Sequence, residues 1–189
     1  MPKRRNYEVH VHRGRSDDRH ELLQSILGGG KFNASNAAIE PGFAFVAREN
    51  IFRDPQWAPS AHSEHVALVE STNGALFEKN VFDCDTNFNG GNPCNTAHML
   101  GQPANGATIQ NITIQGNRFI GDKASTNGYE FTFDNHPPDG CVQPVQFRDN
   151  LIEQYTTIGI FNTGSCGNLS SRPGSSCSGN TVNGSPLGC

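Results

Sequence analysis

The sequence predicts an all-β solenoid, and three observations carry the prediction. One asparagine returns at Asn50, Asn80, Asn117, Asn150 and Asn180, with spacings of 30, 37, 33 and 30 residues. A period of that size is the mark of stacked repeats. Around each asparagine, taken as position n, three columns are apolar or small. Position n−5 holds Phe45, Ala75, Ile112, Val145 and Ser175; n−3 holds Ala47, Phe77, Ile114, Phe147 and Cys177; n+2 holds Phe52, Phe82, Phe119, Ile152 and Val182. The third observation is composition. The 21 glycines, 11 prolines and 20 asparagines among 189 residues supply turns for many short strands, and 12 phenylalanines supply bulk for a core.

Each repeat reads as strand, one-residue bend, strand. Positions n−5 and n−3 differ by two, the period of a strand, and the asparagine then changes the parity. Asparagine tolerates the left-handed backbone region, so it is expected to supply the bend itself. Stacked asparagines can also exchange amide hydrogen bonds. Stacking would further set Arg48 against Glu78 at n−2 and Glu49 against Lys79 at n−1, opposite in sign both times. A third strand is expected at "AAIEP" (37–41), "HVALVES" (65–71), "TAHMLGQ" (96–102), "YEFTFDN" (129–135) and "TIGIFNT" (157–163). Three strands per turn, all running the same way, make a single-stranded right-handed parallel β-helix of about five to six coils. On these columns residues 37–184 resemble the pectate-lyase-like β-helix superfamily, a resemblance of architecture that matches no particular enzyme family.

Residues 1–36 read in two ways. "DDRHELLQSILGGG" can be a capping helix, with Asp18 and Glu21 as a capping box and Gly28 as its stop. It can also be a degenerate first coil with Ser25 at the corner, Leu22 at n−3 and Leu27 at n+2, preceded by the alternating strand "YEVHVHR" (7–13). Residues 185–189 are left as a C-terminal tail.

Net charge is −4, and the only basic cluster, Lys3, Arg4 and Arg5, sits at one end, so nothing resembles the footprint of a nucleic-acid binder. No apolar run approaches the roughly 18 residues of a membrane span, and no signal peptide is visible. Six cysteines without a CxxC pair point to disulfides and a secreted or cell-surface protein. Six cysteines allow 15 pairings. The close pairs Cys84–Cys94 and Cys166–Cys177 each flank a turn-rich loop and are the expected bridges. Glycosylation triplets begin at Asn33, Asn111 and Asn168.

The strand before the corner pair gathers titratable groups. His65 and Glu70 lie on one repeat, His98 on the next, and Glu130, Asp134 and His136 on the one after. In a stack these come from rungs about 4.8 Å apart. Histidine and carboxylate there could remove the C5 proton of a uronic acid, provided a cation or donor neutralised the sugar carboxylate. The column alignment sets His98 beside Ala67 and Phe131, which would turn it inward. The resemblance implies a groove for extended polysaccharide on this face. The arginine motif of pectate lyases and the aspartate and GHG pattern of polygalacturonases are absent. "FDNHPPD" (133–139) shares Asp134 and His136 with the D-P-H-D element of alginate C5-epimerases, with Asn135 in place of proline; it also reads as a polar turn leaving a strand. Asp83, Asp85 and Asp122 leave successive corner pairs. Stacked carboxylates of that kind hold calcium, or are solvated turn residues.

Two functions follow. One is a secreted protein that binds or acts on polysaccharide, lyase- or epimerase-like on acidic glycans. The other is a non-catalytic surface, adhesion or fibre module, with end-to-end or larger-chain packing. The sequence leaves open whether the protein is an enzyme.

Overall fold

The computed structural model describes residues 20–23, 26–28, 44–53, 65–68, 71–83, 99–101, 107–121, 129–133, 140–153 and 159–189. Among them the regular structure is all β apart from two short 3₁₀ turns, Gly164–Cys166 and Leu169–Ser171. The strands before the corner form a six-stranded sheet: His20–Leu23, Phe45–Arg48, Leu76–Glu78, Ile112–Gln115, Val145–Arg148 and Ser176–Ser178. Those after it form a second sheet: Ile26–Gly28, Ile51–Arg53, Val81–Asp83, Arg118–Ile120, Leu151–Glu153 and Thr181–Val182. A third sheet joins Val66–Leu68, Met99–Gly101, Tyr129–Phe133 and Gly159–Asn162. Neighbouring strands in all three run parallel, except where Ser185–Pro186 turns back on Thr181–Val182. The arrangement is compatible with a β-helix-like fold.

The register follows the predicted columns at the corner. Ala47 pairs with Phe77, Phe77 with Ile114, Ile114 with Phe147 and Phe147 with Cys177. Phe52, Phe82, Phe119 and Ile152 are aligned and fully buried. Buried aromatic rings gain from offset or edge contacts beyond their area, and this core uses both. Phe52, Phe82 and Phe119 stack at 4.6 and 4.7 Å. Phe119, Phe131, Phe147 and Phe161 then meet edge to face at 4.7, 4.9 and 5.2 Å.

The asparagines form a continuous ladder. The Oδ1 of Asn80 accepts from both the backbone N–H and the Nδ2 of Asn50, each at 3.0 Å. The same two-pronged contact joins Asn80 to Asn117, Asn117 to Asn150 and Asn150 to Asn180. The Nδ2 of Asn80, Asn117, Asn150 and Asn180 also reaches back to a strand carbonyl of the preceding repeat, as Asn80 does to Ala47 and Asn117 to Phe77, both at 2.9 Å. All five asparagines are buried, and these bonds satisfy amides that would otherwise be costly inside.

One expectation about the corner is corrected. The left-handed residue is not the asparagine but the one before it: Glu49, Lys79, Gly116, Asp149 and Gly179 have φ of 59°, 54°, 62°, 55° and 67°. The bend at n−1 turns the asparagine side chain inward, where its amide is committed to the ladder. At Gly179 a Cβ would also lie 2.0 Å from Asp149 Oδ1, so a larger residue there would displace the Asp149 side chain.

A second bend column escaped the sequence reading. Six residues before the corner asparagine stand Gly74, Asn111 and Gly174, with φ of 89°, 56° and 70°. Next to it, Thr72–Asn73 pairs with Ile109–Gln110, and Asn111 Nδ2 donates to Asn73 Oδ1 at 2.7 Å. The sequence signal was available as glycine or asparagine recurring at n−6.

At the start, His20–Leu23 and Ile26–Gly28 are strands, with Leu22 opposite Ala47 and Leu27 opposite Phe52. Residues 20–23 and 26–28 thus extend the first and second sheets by one strand each and are not helical. "AAIEP" (37–41) and "YEVHVHR" (7–13) lie outside the described residues.

Leu187 N–H donates to Asn180 O at 2.9 Å, and Leu187 and Cys189 pack on the core. Cys189 bonds Cys177, and Cys141 bonds Cys166, with Cα separations of 6.0 and 5.8 Å. The expected Cys166–Cys177 bridge is therefore overturned. Cys177 sits in the n−3 column against Phe147, where the returning C-terminal segment reaches it, whereas Cys166 lies in a 3₁₀ turn beside Cys141. Cys84 and Cys94 lie outside the described residues. Beneath these loops Arg172 is buried, its guanidinium donating to Phe133 O at 2.7 Å and Val142 O at 2.8 Å.

Candidate functional site

The third sheet holds the face from which the sequence drew its titratable candidates. Its register places Met99 opposite both Val66 and Phe131, in place of the expected line of His98 with Ala67 and Phe131. Phe131 in turn faces Phe161. Among the six candidates only the side chain of His65 falls within the described residues. It is 1% exposed, its ring 5.7 Å from Phe82 and its Nε2 3.2 Å from Asp83 O. His65 thus belongs to the core and does not open on the outer face assigned to it. The reason is local: His65 and Val66 are both buried, so the two-residue alternation does not yet hold where the strand begins. Glu130 lies within strand Tyr129–Phe133, its side chain outside the described residues. Glu70, His98, Asp134 and His136 lie outside them altogether.

Of the calcium candidates, Asp83 is half-buried on the second sheet, between Arg53 and Ile120 in register. Asp85 and Asp122 lie outside the described residues. Among the described residues no group of three metal-binding side chains comes together, and no helix is long and apolar enough to cross a membrane.

The best-defined polar surface is the outer face of the first sheet. Its n−2 row is Arg48, Glu78, Gln115, Arg148 and Ser178, each beside the next. Arg48 Nε meets Glu78 Oε2 at 2.6 Å, the predicted charge pair. Gln115 Nε2 donates to the other oxygen, Glu78 Oε1, at 2.6 Å. The Gln115 hydrogen bond, then that of Arg48 and the charges of Arg48 and Lys79, hold the Glu78 carboxyl below its ordinary range against its partial desolvation. Gln115 Oε1 in turn accepts from Arg148 Nη2 at 3.3 Å. The parallel n−4 row changes character along the stack, from Val46 and Leu76 to Thr113, Gln146 and Ser176. Ser176 donates to Gln146 Oε1, and Gln146 Nε2 donates to Gly174 O. Beyond the two charge pairs expected at n−2 and n−1, the polar row continues at n−2 and n−4 in every later repeat.

The second sheet presents a different face. Ile51 and Leu151 are the exposed large hydrophobic residues among those described, and Arg118 between them in the row pairs with Glu153. Comparison with protein families, curated proteins and solved structures finds no match to this chain.

Proposed function

We propose that the chain is a single right-handed parallel β-helix of five to six coils, three strands per coil, that works outside the cell by binding an extended acidic polysaccharide. One observation carries the reading: parallel rungs present outward-facing polar side chains in unbroken rows, one residue per rung. Rungs of such a sheet are about 4.8 Å apart, so a linear polymer lying along the stack meets a polar side chain of the n−2 row at regular intervals. The disulfides Cys141–Cys166 and Cys177–Cys189 agree with an oxidising compartment.

Lyase or epimerase chemistry is the catalytic form of this proposal. It would draw its acid and base from Glu70, His98, Glu130, Asp134 and His136, with calcium at Asp83, Asp85 and Asp122 as a cofactor that neutralises the sugar carboxylate. The burial of His65 favours the plain binding form, because one of the proposed acid–base groups is packed against Phe82. Incubation with pectate, alginate and glycosaminoglycans separates the two. Lyase activity raises absorbance near 235 nm, and epimerisation changes the uronate signals in the proton spectrum. The catalytic form requires that such activity fall in His136→Ala or Glu70→Gln. Binding without turnover leaves the plain form. The absence of binding to every acidic glycan sinks both and leaves a spacer or adhesion module.

A further inference from the structure

We infer that the C-terminal part of the first sheet's outer face is a subsite for the carboxylate of one acidic sugar, with Arg148 as its anchor; this rests on the polysaccharide reading and names its contact. Register sets Thr113, Gln146 and Ser176 in one row and Gln115, Arg148 and Ser178 in the next. The result is a patch of uncharged hydroxyl and amide groups around a single guanidinium. Hydroxyls and amides are the groups that hydrogen-bond sugar hydroxyls, and a guanidinium matches a carboxylate with two parallel bonds.

Arg148 differs from the other arginine of the row. Arg48 is held at 2.6 Å by the carboxylate of Glu78, and both oxygens of that carboxylate are already engaged. Arg148 meets no carboxylate among the described residues, and its side-chain hydrogen bond is the long one from Nη2 to the neutral Gln115 at 3.3 Å. Its Nε is buried and makes no hydrogen bond at all. A buried donor in that condition is costly, and such an atom calls for an explanation in a folded protein. Asp149, the next residue, does not supply the missing anion. Its Oδ1 stands where a Cβ on Gly179 would go, over the corner column.

The resting position of Arg148 is therefore weakly held. Little is lost when the side chain lifts from the sheet, and an incoming carboxylate gives the fork two charge-assisted bonds in place of one long neutral bond and one orphan. Glu78 lies two rungs away and is already paired with Arg48, so it does not repel the sugar acid.

The test measures the affinity of the full chain for a linear hexauronate by calorimetry, beside a neutral hexaose and a sulfated hexaose without carboxylates. It also follows the Nε–H signal of Arg148 by nitrogen-15 arginine spectra. Hexauronate should bind and shift that signal, and the neutral sugar should do neither. Arg148→Gln should weaken hexauronate binding about tenfold or more, with an unchanged melting temperature. Arg148→Lys, which keeps the charge and loses the fork, should fall between. Arg118→Gln, on the second sheet, should bind as the wild type does. Hexauronate binding that is equal in wild type and Arg148→Gln overturns the subsite while leaving the polysaccharide reading intact. A sulfated sugar bound as tightly as hexauronate overturns the carboxylate assignment. No binding of hexauronate by the wild type overturns the subsite, and no binding of pectate, alginate or any glycosaminoglycan either overturns the reading with it.

Discussion

The corner pair and the third sheet are built from the same repeat, yet they fix their registers by different means. At the corner, each asparagine has a named partner above it, and a slip by one residue would bury an amide against Phe or Ile. On the third sheet the aligned residues are Val66, Met99, Phe131 and Phe161, whose apolar side chains can replace one another without orphaning any group. The corner is specified by hydrogen-bond identity; the third sheet is specified by bulk, which several alignments satisfy. Polar contacts set the register, and apolar ones fill whatever register results.

The largest effects come from the filling. Phe119 is fully buried between Phe82 and Phe131, and Phe119→Ala should cost about 3–5 kcal/mol in denaturant unfolding. A value under about 1 kcal/mol would mean that the ring stack is not a tightly packed core.

Somewhat smaller, and more telling for the comparison, is Asn117→Ala. It removes the acceptor for two buried donors of Asn80 and the donor to Asn150 and Phe77. At about 1–3 kcal/mol per orphaned buried group, only partly additive, the loss should be about 2–4 kcal/mol. Hydrogen exchange should quicken at the neighbouring amides of Asn80 and Asn150 while the third sheet keeps its protection. Equal loosening of both regions would break the distinction drawn between them.

Lys79→Gly sharpens where the bend lies. Lys79 has φ 54°, a conformation that costs a residue with a Cβ about 1 kcal/mol. The substitution should leave stability unchanged or raise it by up to about 1 kcal/mol. Placing glycine at Asn80 instead should destabilise, since the ladder loses a member. A reversed order would return the left-handed position to the asparagine.

The smallest effect is electrostatic. Glu78 has its carboxyl held below the ordinary range by Gln115 and Arg48. A group with a depressed folded pKa contributes stability above its unfolded pKa and loses it as pH falls through the folded value. Acid titration below the ordinary glutamate range should therefore weaken the wild type more than Glu78→Gln. The difference should be under about 1 kcal/mol, because the pair is partly exposed. Equal acid sensitivity in the two proteins would show that the row adds nothing to stability.

What could be read from the sequence follows the same division. The inward columns at n−5, n−3 and n+2 stand at fixed distances from a recognisable residue, so their burial and register were legible. The third strands are separated from the corner by stretches of unequal length, residues 54–64, 84–98, 122–128 and 154–158, and the alignment there put His98 where Met99 stands. The bend was misplaced because Glu49, Lys79, Gly116, Asp149 and Gly179 share a backbone angle and no side-chain chemistry, while the asparagine beside them is conspicuous. The bridge from Cys166 was paired with its nearest neighbour in sequence, whereas stacking brings Cys141 to it from the preceding repeat. For the candidate site, residue types were visible but direction was not. Nothing in "SEHVAL" reveals that His65 and Val66 both face inward, and the solitary state of Arg148 depends on what lies on the rungs either side.

The asparagine ladder has one further property, its direction. From Asn50 to Asn180, each bond between two asparagine side chains runs one way, from the Nδ2 of one to the Oδ1 of the asparagine in the repeat that follows. Each joint is therefore chemically the same as every other. If one whole unit from asparagine to asparagine were excised, Asn50 would meet Asn117 with the same donors facing the same acceptor. An excision that stopped short would leave a buried amide facing a strand. The architecture thus favours gain and loss of length in complete units during evolution, and penalises every fractional cut.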